Sequence, residues 1–242
     1  MPQTQHKSKV STKDSPPRLS PATENYLLSI FHLQEWEQRV TMTTLAEELR
    51  RLPVGEGLGT SLPSVGGMVR RMARERLVEV TKQKDVLLTS KGKLAAESIV
   101  RRHRLAERMV VDLLNLELHK AHVEAHRLEH AISPELELLI EKKLNHPTTC
   151  PFGHPIPGSG YTARKNSVTL DKAKPGTPVV IDKVPEDDQA LLEYLVANKV
   201  IPNQKALVKE AASYRGVITI QVDESDVVVS YEVAERLWVA PA

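Results

Sequence analysis

The chain has 242 residues, of which 40% are hydrophobic and 26% charged, with a formal net charge of +2. That balance belongs to a water-soluble globular protein long enough for one large domain or two to three small ones. The single cysteine, Cys150, excludes a disulfide framework and a cysteine-rich structural zinc site; with no signal-peptide core and no window near the ~18 apolar residues that span a bilayer, the expectation is a cytoplasmic protein without membrane contact.

Residues 1–20 are polar, basic and proline-containing and are expected to form a disordered tail. Apolar residues Tyr26, Leu27, Ile30, Phe31 and Leu33 then recur at helical spacing from Ala22 to Trp36. A short second helix follows over 43–49, with Thr43 as its N-cap. The stretch R-R-L-P-V-G-E-G-L-G-T-S-L-P reads as a loop. A third helix starts at Pro63 or Ser64, runs to about Arg76, and turns Val65, Met68, Val69 and Met72 inward. The runs Val78–Thr81 and Asp85–Leu88 around Lys82-Gln83-Lys84 make a hairpin with a basic tip.

Three helices followed by a basic hairpin form a winged helix-turn-helix over residues 21–90, whose third helix enters a DNA major groove. Between Leu62 and Arg104 there are 11 Lys or Arg against four acids. Arg70, Arg71 and Arg74 flank the third helix, and Lys82 and Lys84 tip the wing, so polyanion contact is expected there.

A helical region over 91–146 follows. It contains a long pattern from Lys91 to Leu118, a second helix from Lys120 to Ile132, and a third opened by Ser133 and Pro134. Five of the nine histidines lie between 103 and 130. On the second helix His122, His126, Glu129 and His130 fall within an arc of roughly 100°, and upstream His103 and Glu107 stand at i and i+4. Imidazole and carboxylate at these spacings suit a divalent first-row transition ion. The Pro/Gly-rich stretch 147–173 reads as a linker. Beyond it, over 174–242, short β-type runs (179–181, 206–208, 217–220 and 227–229) with a helix at 190–197 make a small β-barrel. The fold class is therefore mainly α with a small β domain.

In L-T-S-K-G-K (88–93), R-R-H-R-L-A-E-R (101–108), H-V-E-A-H-R-L-E-H (122–130) and C-P-F-G-H-P-I-P-G (150–158) the chain resembles the diphtheria-toxin-repressor and manganese-transport-regulator family. The likeness runs from about Leu19 onward. The tail resembles the SH3-like module of small iron-transport accessory proteins, through its P-G, L-L-x-Y-L and S-x-E-x-A signatures.

The resemblance implies a homodimeric, metal-activated transcriptional repressor acting on roughly palindromic double-stranded DNA, with two metal ions per subunit and no small-molecule substrate. A primary site would take His126, Glu129, His130 and, from helix 1, Asn25. An ancillary site would take His103, Glu107 and His122, completed from the barrel domain by Asp188 in first preference, then Glu186 or Gln189. Ser61, Pro63 and Ser64 match positions that contact bases or phosphates.

Several departures mark this chain. His126 stands where family members carry cysteine or glutamate, and Asn25 where they carry methionine or aspartate. Cys150 matches a cysteine that is an ancillary ligand in some members, but Phe152 replaces the histidine expected with it. Gly66 and Gly67 replace polar positions of the reading helix, and about nine residues are inserted between Arg50 and Thr60. The primary set lacks sulfur, which favours Mn²⁺, with Fe²⁺ as the alternative. A metalloenzyme is disfavoured because neither H-E-x-x-H nor G-x-S-x-G occurs; a metal-transport adaptor without DNA binding is the remaining alternative.

Overall fold

The computed structural model describes residues 19–52 and 58–242. The expected tail up to residue 18, and residues 53–57 of the expected insertion, lie outside the described residues.

Helix α1 (Pro21–Glu35) begins behind Ser20, whose hydroxyl accepts the Thr23 amide at 3.3 Å, with proline in its first turn. Helix α2 (Met42–Arg51) is capped by Thr41 rather than the expected Thr43. Thr41 and Thr44 exchange side-chain and backbone bonds in a reciprocal capping box, one threonine pair earlier than expected. Helix α3 (Leu62–Arg74) is capped by Ser61 and buries Val65, Val69 and Met72. Strands β1 (Val78–Val80) and β2 (Val86–Leu88) pair antiparallel, giving the expected winged-helix order. The Val86 amide also donates to Val40 O at 2.8 Å, which ties the wing to the connection after α1.

Helix α4 (Ser90–Arg108) is the spine of the molecule. Its first half packs Ala96, Ile99 and Val100 into the winged-helix core, and its second half packs Leu105 and Ala106 against Ala125, Ile132, Ile140 and Ile156. Gly92 permits the close start of this packing: a Cβ there would stand 1.8 Å from the Leu77 carbonyl oxygen. The long helical pattern expected as far as Leu118 is interrupted. A π-helical turn spans Met109–Leu113, Asn115 adopts a positive φ of 55°, and a single 3₁₀ turn (Leu118–Lys120) leads into α5 (Ala121–Leu128). Thus α5 is shorter than expected, and Glu129 and His130 lie in the turn just beyond it. Helix α6 (Pro134–Lys143) starts behind Ser133 as expected.

Part of the stretch expected as a linker, residues 149–157, is packed, while most of 158–168 is exposed. Cys150, Phe152, His154 and Ile156 are at most 2% exposed. Three arginines on α4 hold its backbone: Arg108 donates to Thr149 O, Arg104 to Pro155 O and Arg101 to Pro157 O, at 2.5–2.9 Å. Satisfied carbonyls let an aperiodic segment be buried, and periodicity gives no warning of it.

The C-terminal part contains β3 (Val168–Thr169), β4 (Pro178–Lys183), α7 (Gln189–Ala197), β5 (Lys205–Ala212), β6 (Val217–Val222), β7 (Ser225–Ser230), α8 (Tyr231–Ala234) and β8 (Trp238–Pro241). The strands form one antiparallel sheet in the order β3-β8-β4-β5-β6-β7, in keeping with the small SH3-like β domain expected, and no pairing of β3 with β7 closes it among the described residues. A register shift at Ile181/Lys183 ends the β4–β8 pairing and sends the chain toward α4. Gly153 lies against this bend with φ +92°, and a Cβ on it would meet the Asp182 carbonyl oxygen at 2.0 Å.

The winged helix and the C-terminal part touch through charge. Asp187 accepts from Arg51 of α2 at 3.0 Å and pairs with Arg236, whose guanidinium lies 5.9 Å from the Trp36 ring. Glu48 is 3.6 Å from Arg51, yet its carboxyl is pushed up to about 7 by burial and by the Asp187 charge. The two observations agree once Arg51 is seen to lie closer to Asp187, leaving Glu48 a weak share of its charge.

Gly153→Ala combines an unfavourable φ with a backbone clash, so it should lower stability by at least about 2 kcal/mol in chemical denaturation; an unchanged midpoint would disprove the close approach. Because the folded Glu48 binds its proton more tightly than the unfolded chain, its contribution is full below about pH 4.5 and fades as pH rises through about 7. Glu48→Gln should therefore raise the melting temperature at pH 8, by at most about 3 kcal/mol of stability, with little effect at pH 4.5; equal effects at both pH values would contradict this.

Candidate metal centre

Helices α4 and α5 face one another and bury a continuous cluster of imidazoles and carboxylates. His103, at i to Glu107 on α4, places Nε2 at 2.9 Å from Glu107 Oε1 and at 3.2 Å from His122 Nδ1 of α5. His122 Nδ1 is 3.1 Å from the same Glu107 oxygen. The C-terminal part adds Glu186: His103, Glu107, His122 and Glu186 bring one ligand atom each within 4.8 Å of one another. These residues are the expected ancillary set, completed by the second choice for its last member. Asp188 instead caps α7, accepting the Leu191 amide at 3.0 Å, and Gln189 bonds Glu193, so neither joins the cluster. The β4 register shift carries Glu186 inward, and a linear sequence does not reveal which of four consecutive polar residues that bend selects.

The expected primary set is joined by pairwise contacts in a chain. Asn25 Oδ1 lies 3.2 Å from His130 Nε2, which is 3.4 Å from Glu129 Oε1, itself 3.4 Å from His126 Nδ1. Asn25 is fully buried on α1, so this chain of contacts reaches from the α5 region to the DNA-binding module. The two sets meet: His103 Nδ1 is 2.5 Å from Glu129 Oε2, and His126 Nε2 is 3.2 Å from His122 Nε2.

Sequence reasoning missed the groups that orient these side chains. Glu24, one residue before Asn25, holds His130 Nδ1 at 2.6 Å and accepts from Arg102 at 2.7 Å. A carboxylate on the remote ring nitrogen fixes the imidazole tautomer and orientation; its only sequence signal is adjacency to Asn25. Arg104, fully buried, pairs with Glu35 at 2.5 Å. His154 lies 3.8 Å from both Glu35 and Glu186. Cys150 is 3.7 Å from Glu186 and its thiol is pushed well up by burial and by Glu107, so it stands beside the cluster as a thiol. His119 lies on the 3₁₀ turn outside the cluster, 3.9 Å from Glu117.

The electrostatics show what the cluster lacks. Burial alone would push the His103 imidazole down, but Glu107 and Glu129 override it and hold it at about 10. Burial would raise Glu129, yet His126 and His103 bring it to about 2. Glu107 is held well below the carboxylate range by His103, which overcomes its burial. Glu186 is pushed well up by burial and by Glu107. His103 thus faces both Glu107 and Glu129, and Glu107 Oε2 has no hydrogen-bond partner. A divalent ion fits this donor set of imidazole nitrogens and carboxylate oxygens, both by charge and by the orphaned oxygen.

On the reading side, Ser61, Pro63, Ser64, Arg70, Arg71 and Arg74 are exposed on α3, as are Lys82 and Lys84 on the wing. Arg71 pairs with Glu75 at 2.9 Å. The Arg70 guanidinium folds over Gly66, 3.4 Å from where a Cβ would stand.

A winged helix joined to a buried ligand cluster and an SH3-like domain defines a class of metal-dependent transcriptional regulators. Residues 89–158 match the model of the iron dependent repressor metal binding and dimerisation domain, and residues 168–241 the FeoA domain. The iron-dependent repressor IdeR of Mycobacterium leprae is 35% identical over 230 residues, spanning 90% of this chain and 96% of that protein. The diphtheria toxin repressor of Corynebacterium diphtheriae is 39% identical over 158 residues, 65% of each chain. A manganese-dependent transcriptional repressor solved with manganese superposes with a TM-score of 0.80 at 29% identity, covering 91% of this chain and all of that one. The chain belongs to the diphtheria-toxin-repressor and manganese-transport-regulator family, whose members here are repressors and not enzymes. No helix among the described residues is long and apolar enough to cross a membrane.

Glu186→Gln should weaken binding of a second Mn²⁺ by about 10-fold or more, whereas Asp188→Asn should leave it unchanged, as read by electron paramagnetic resonance titration of free Mn²⁺. Loss with Asp188→Asn and not with Glu186→Gln would reverse the assignment.

Proposed function

We propose that this protein is a homodimeric, manganese-activated repressor of transition-metal uptake acting in the cytoplasm, in which Asn25 links the metal centre to the DNA-reading module. The observation that carries the reading is the 3.2 Å approach of Asn25 Oδ1 on α1 to His130 Nε2. Asn25, His126, Glu129 and His130 would hold the activating ion, and His103, Glu107, His122 and Glu186 a second one. A bound divalent ion supplies positive charge to the buried carboxylates beyond that of the surrounding histidines. Asn25 and His130 then hold α1 against the α5 turn, and Glu24 keeps His130 turned toward Asn25. With α1 fixed, the α3 helices of two subunits stand at one separation, and only a ligand that binds this state better shifts the population toward it.

The family domain is named for dimerisation. Leu94 of α4 and Leu138 and Leu139 of α6 are 69%, 64% and 57% exposed, an apolar face suited to a second copy. On the opposite role, α3 offers two glycines where base-reading side chains would stand, so phosphate contacts by Arg70, Arg71, Arg74, Lys82 and Lys84 would dominate affinity for a roughly palindromic operator.

Manganese is favoured over iron because the primary set contains only oxygen and imidazole donors. The relatives carry both labels, iron-dependent in the mycobacterial repressor and manganese-dependent in the solved structure.

In anaerobic gel-shift titrations a promoter fragment should bind weakly to chelated protein and tightly with Mn²⁺, with Fe²⁺ needing a higher free concentration. The logarithm of affinity should fall steeply with log salt, by about 0.9 per neutralised phosphate. Equal affinity with chelator and metal would overturn the switch, and activation by Fe²⁺ at lower concentration would reassign the ion.

A further inference from the structure

His103, His122 and His126 each bring one ring nitrogen within 4.8 Å of the others, a grouping that cuts across both expected sites. Their ring centroids are 4.6–4.9 Å apart. His122 meets the other two through different ring nitrogens, Nδ1 at 3.2 Å from His103 Nε2 and Nε2 at 3.2 Å from His126 Nε2. A single ion, which takes one nitrogen from each ring, would use one of these pairs and draw in the third nitrogen from within 4.8 Å. Nitrogens around a tetrahedral Zn²⁺, with bonds of ~2.0–2.1 Å, lie about 3.3–3.4 Å apart. The soft outer torsion of the histidine ring can close the remaining gap. The i, i+4 spacing of His122 and His126 on α5 aims both rings at His103 across the α4–α5 contact, and all three are buried. None of the three belongs to α1 or to the C-terminal part.

An all-imidazole set differs in chemistry from the two mixed sets around it. Imidazole favours zinc, whereas Mn²⁺ seeks more oxygen and a larger coordination number. We propose that His103, His122 and His126 form a third, tris-imidazole site selective for Zn²⁺, and that zinc held there silences the protein. Such an ion removes two ligands from the ancillary set and one from the primary set and takes no ligand from α1 or from Glu186. One zinc thereby displaces two activating ions and adds no metal bond to α1. The silencing half rests on the function proposed above; the site itself does not.

Zinc K-edge absorption of the full chain at one equivalent of Zn²⁺ should show three imidazoles per ion. Either expected site would show two, so two would overturn the proposal. In the Glu107→Gln/His130→Gln variant, which removes one ligand from each expected site, Co²⁺ as a probe should still give the intense visible bands of four-coordination. Adding His126→Gln should abolish them and weaken Zn²⁺ binding by about tenfold or more in chelator competition, with far-ultraviolet dichroism matched between variants. A weak six-coordinate cobalt spectrum in the double variant, or unchanged Zn²⁺ affinity on adding His126→Gln, would also overturn the site. One equivalent of Zn²⁺ should release DNA from the Mn²⁺-loaded protein. Retained DNA alongside three imidazoles would overturn the silencing alone, and absence of any Mn²⁺-dependent binding would count against the proposed function while leaving the site standing.

Discussion

The rest of the structure depends on the burial of carboxylates between α4 and its neighbours α1 and α5. An isolated buried charge is too unfavourable to persist, so each must be met by a proton, a guanidinium or an ion. Glu24 meets Arg102, Glu35 meets Arg104, and Glu107 and Glu129 share His103. The first two pairs are self-sufficient and rigid. The third is under-compensated, and it is the one that lies where three parts of the chain converge. Its charge deficit is what makes the folded protein responsive to a cation at all.

Helix α4 distributes these roles around its circumference. Arg101, Arg104 and Arg108 face the segment 149–157, Arg102 faces α1, and His103 and Glu107 face α5. The run R-R-H-R-L-A-E-R is therefore not a solvated basic stretch. Its charged and imidazole residues are divided among three neighbours, so one helix sets the mutual position of the reading head, the ligand helix and the segment that leads to the C-terminal sheet.

Much of this was legible in the sequence where periodicity or capping chemistry speaks. The three reading helices, the wing, Ser133 as a cap and the imidazole-rich face of α5 all follow from spacing. So does most of the buried imidazole and carboxylate cluster between α4 and α5, once the motifs are placed on helices. What escaped depended on contacts distant in sequence. The 149–157 segment has no period because arginines from α4 order it, not its own side chains. The π-helical turn at Met109–Leu113 follows an apolar pattern that an α-helix would also satisfy. Glu186 rather than Asp188 was chosen by a strand bend, and Glu24 by the tautomer requirement of a partner about a hundred residues away. The approach of His103 to His126 escaped as well, because a helical wheel does not show what comes from the other helix.

The arginine grip on 149–157 has a further consequence for how this region can change. Arg101, Arg104 and Arg108 bind main-chain oxygens, which every residue type carries. Side-chain replacements along the segment are still limited, because Cys150, Phe152, His154 and Ile156 are packed into the interior and geometry admits no Cβ at Gly153. The arginines have little latitude either: Arg108 spreads its guanidinium over Thr149 and Cys150, which a lysine's point charge would not reproduce. Among relatives of this chain, the gripped segment and the helix that grips it should therefore diverge slowly together, although the segment has no periodicity of its own.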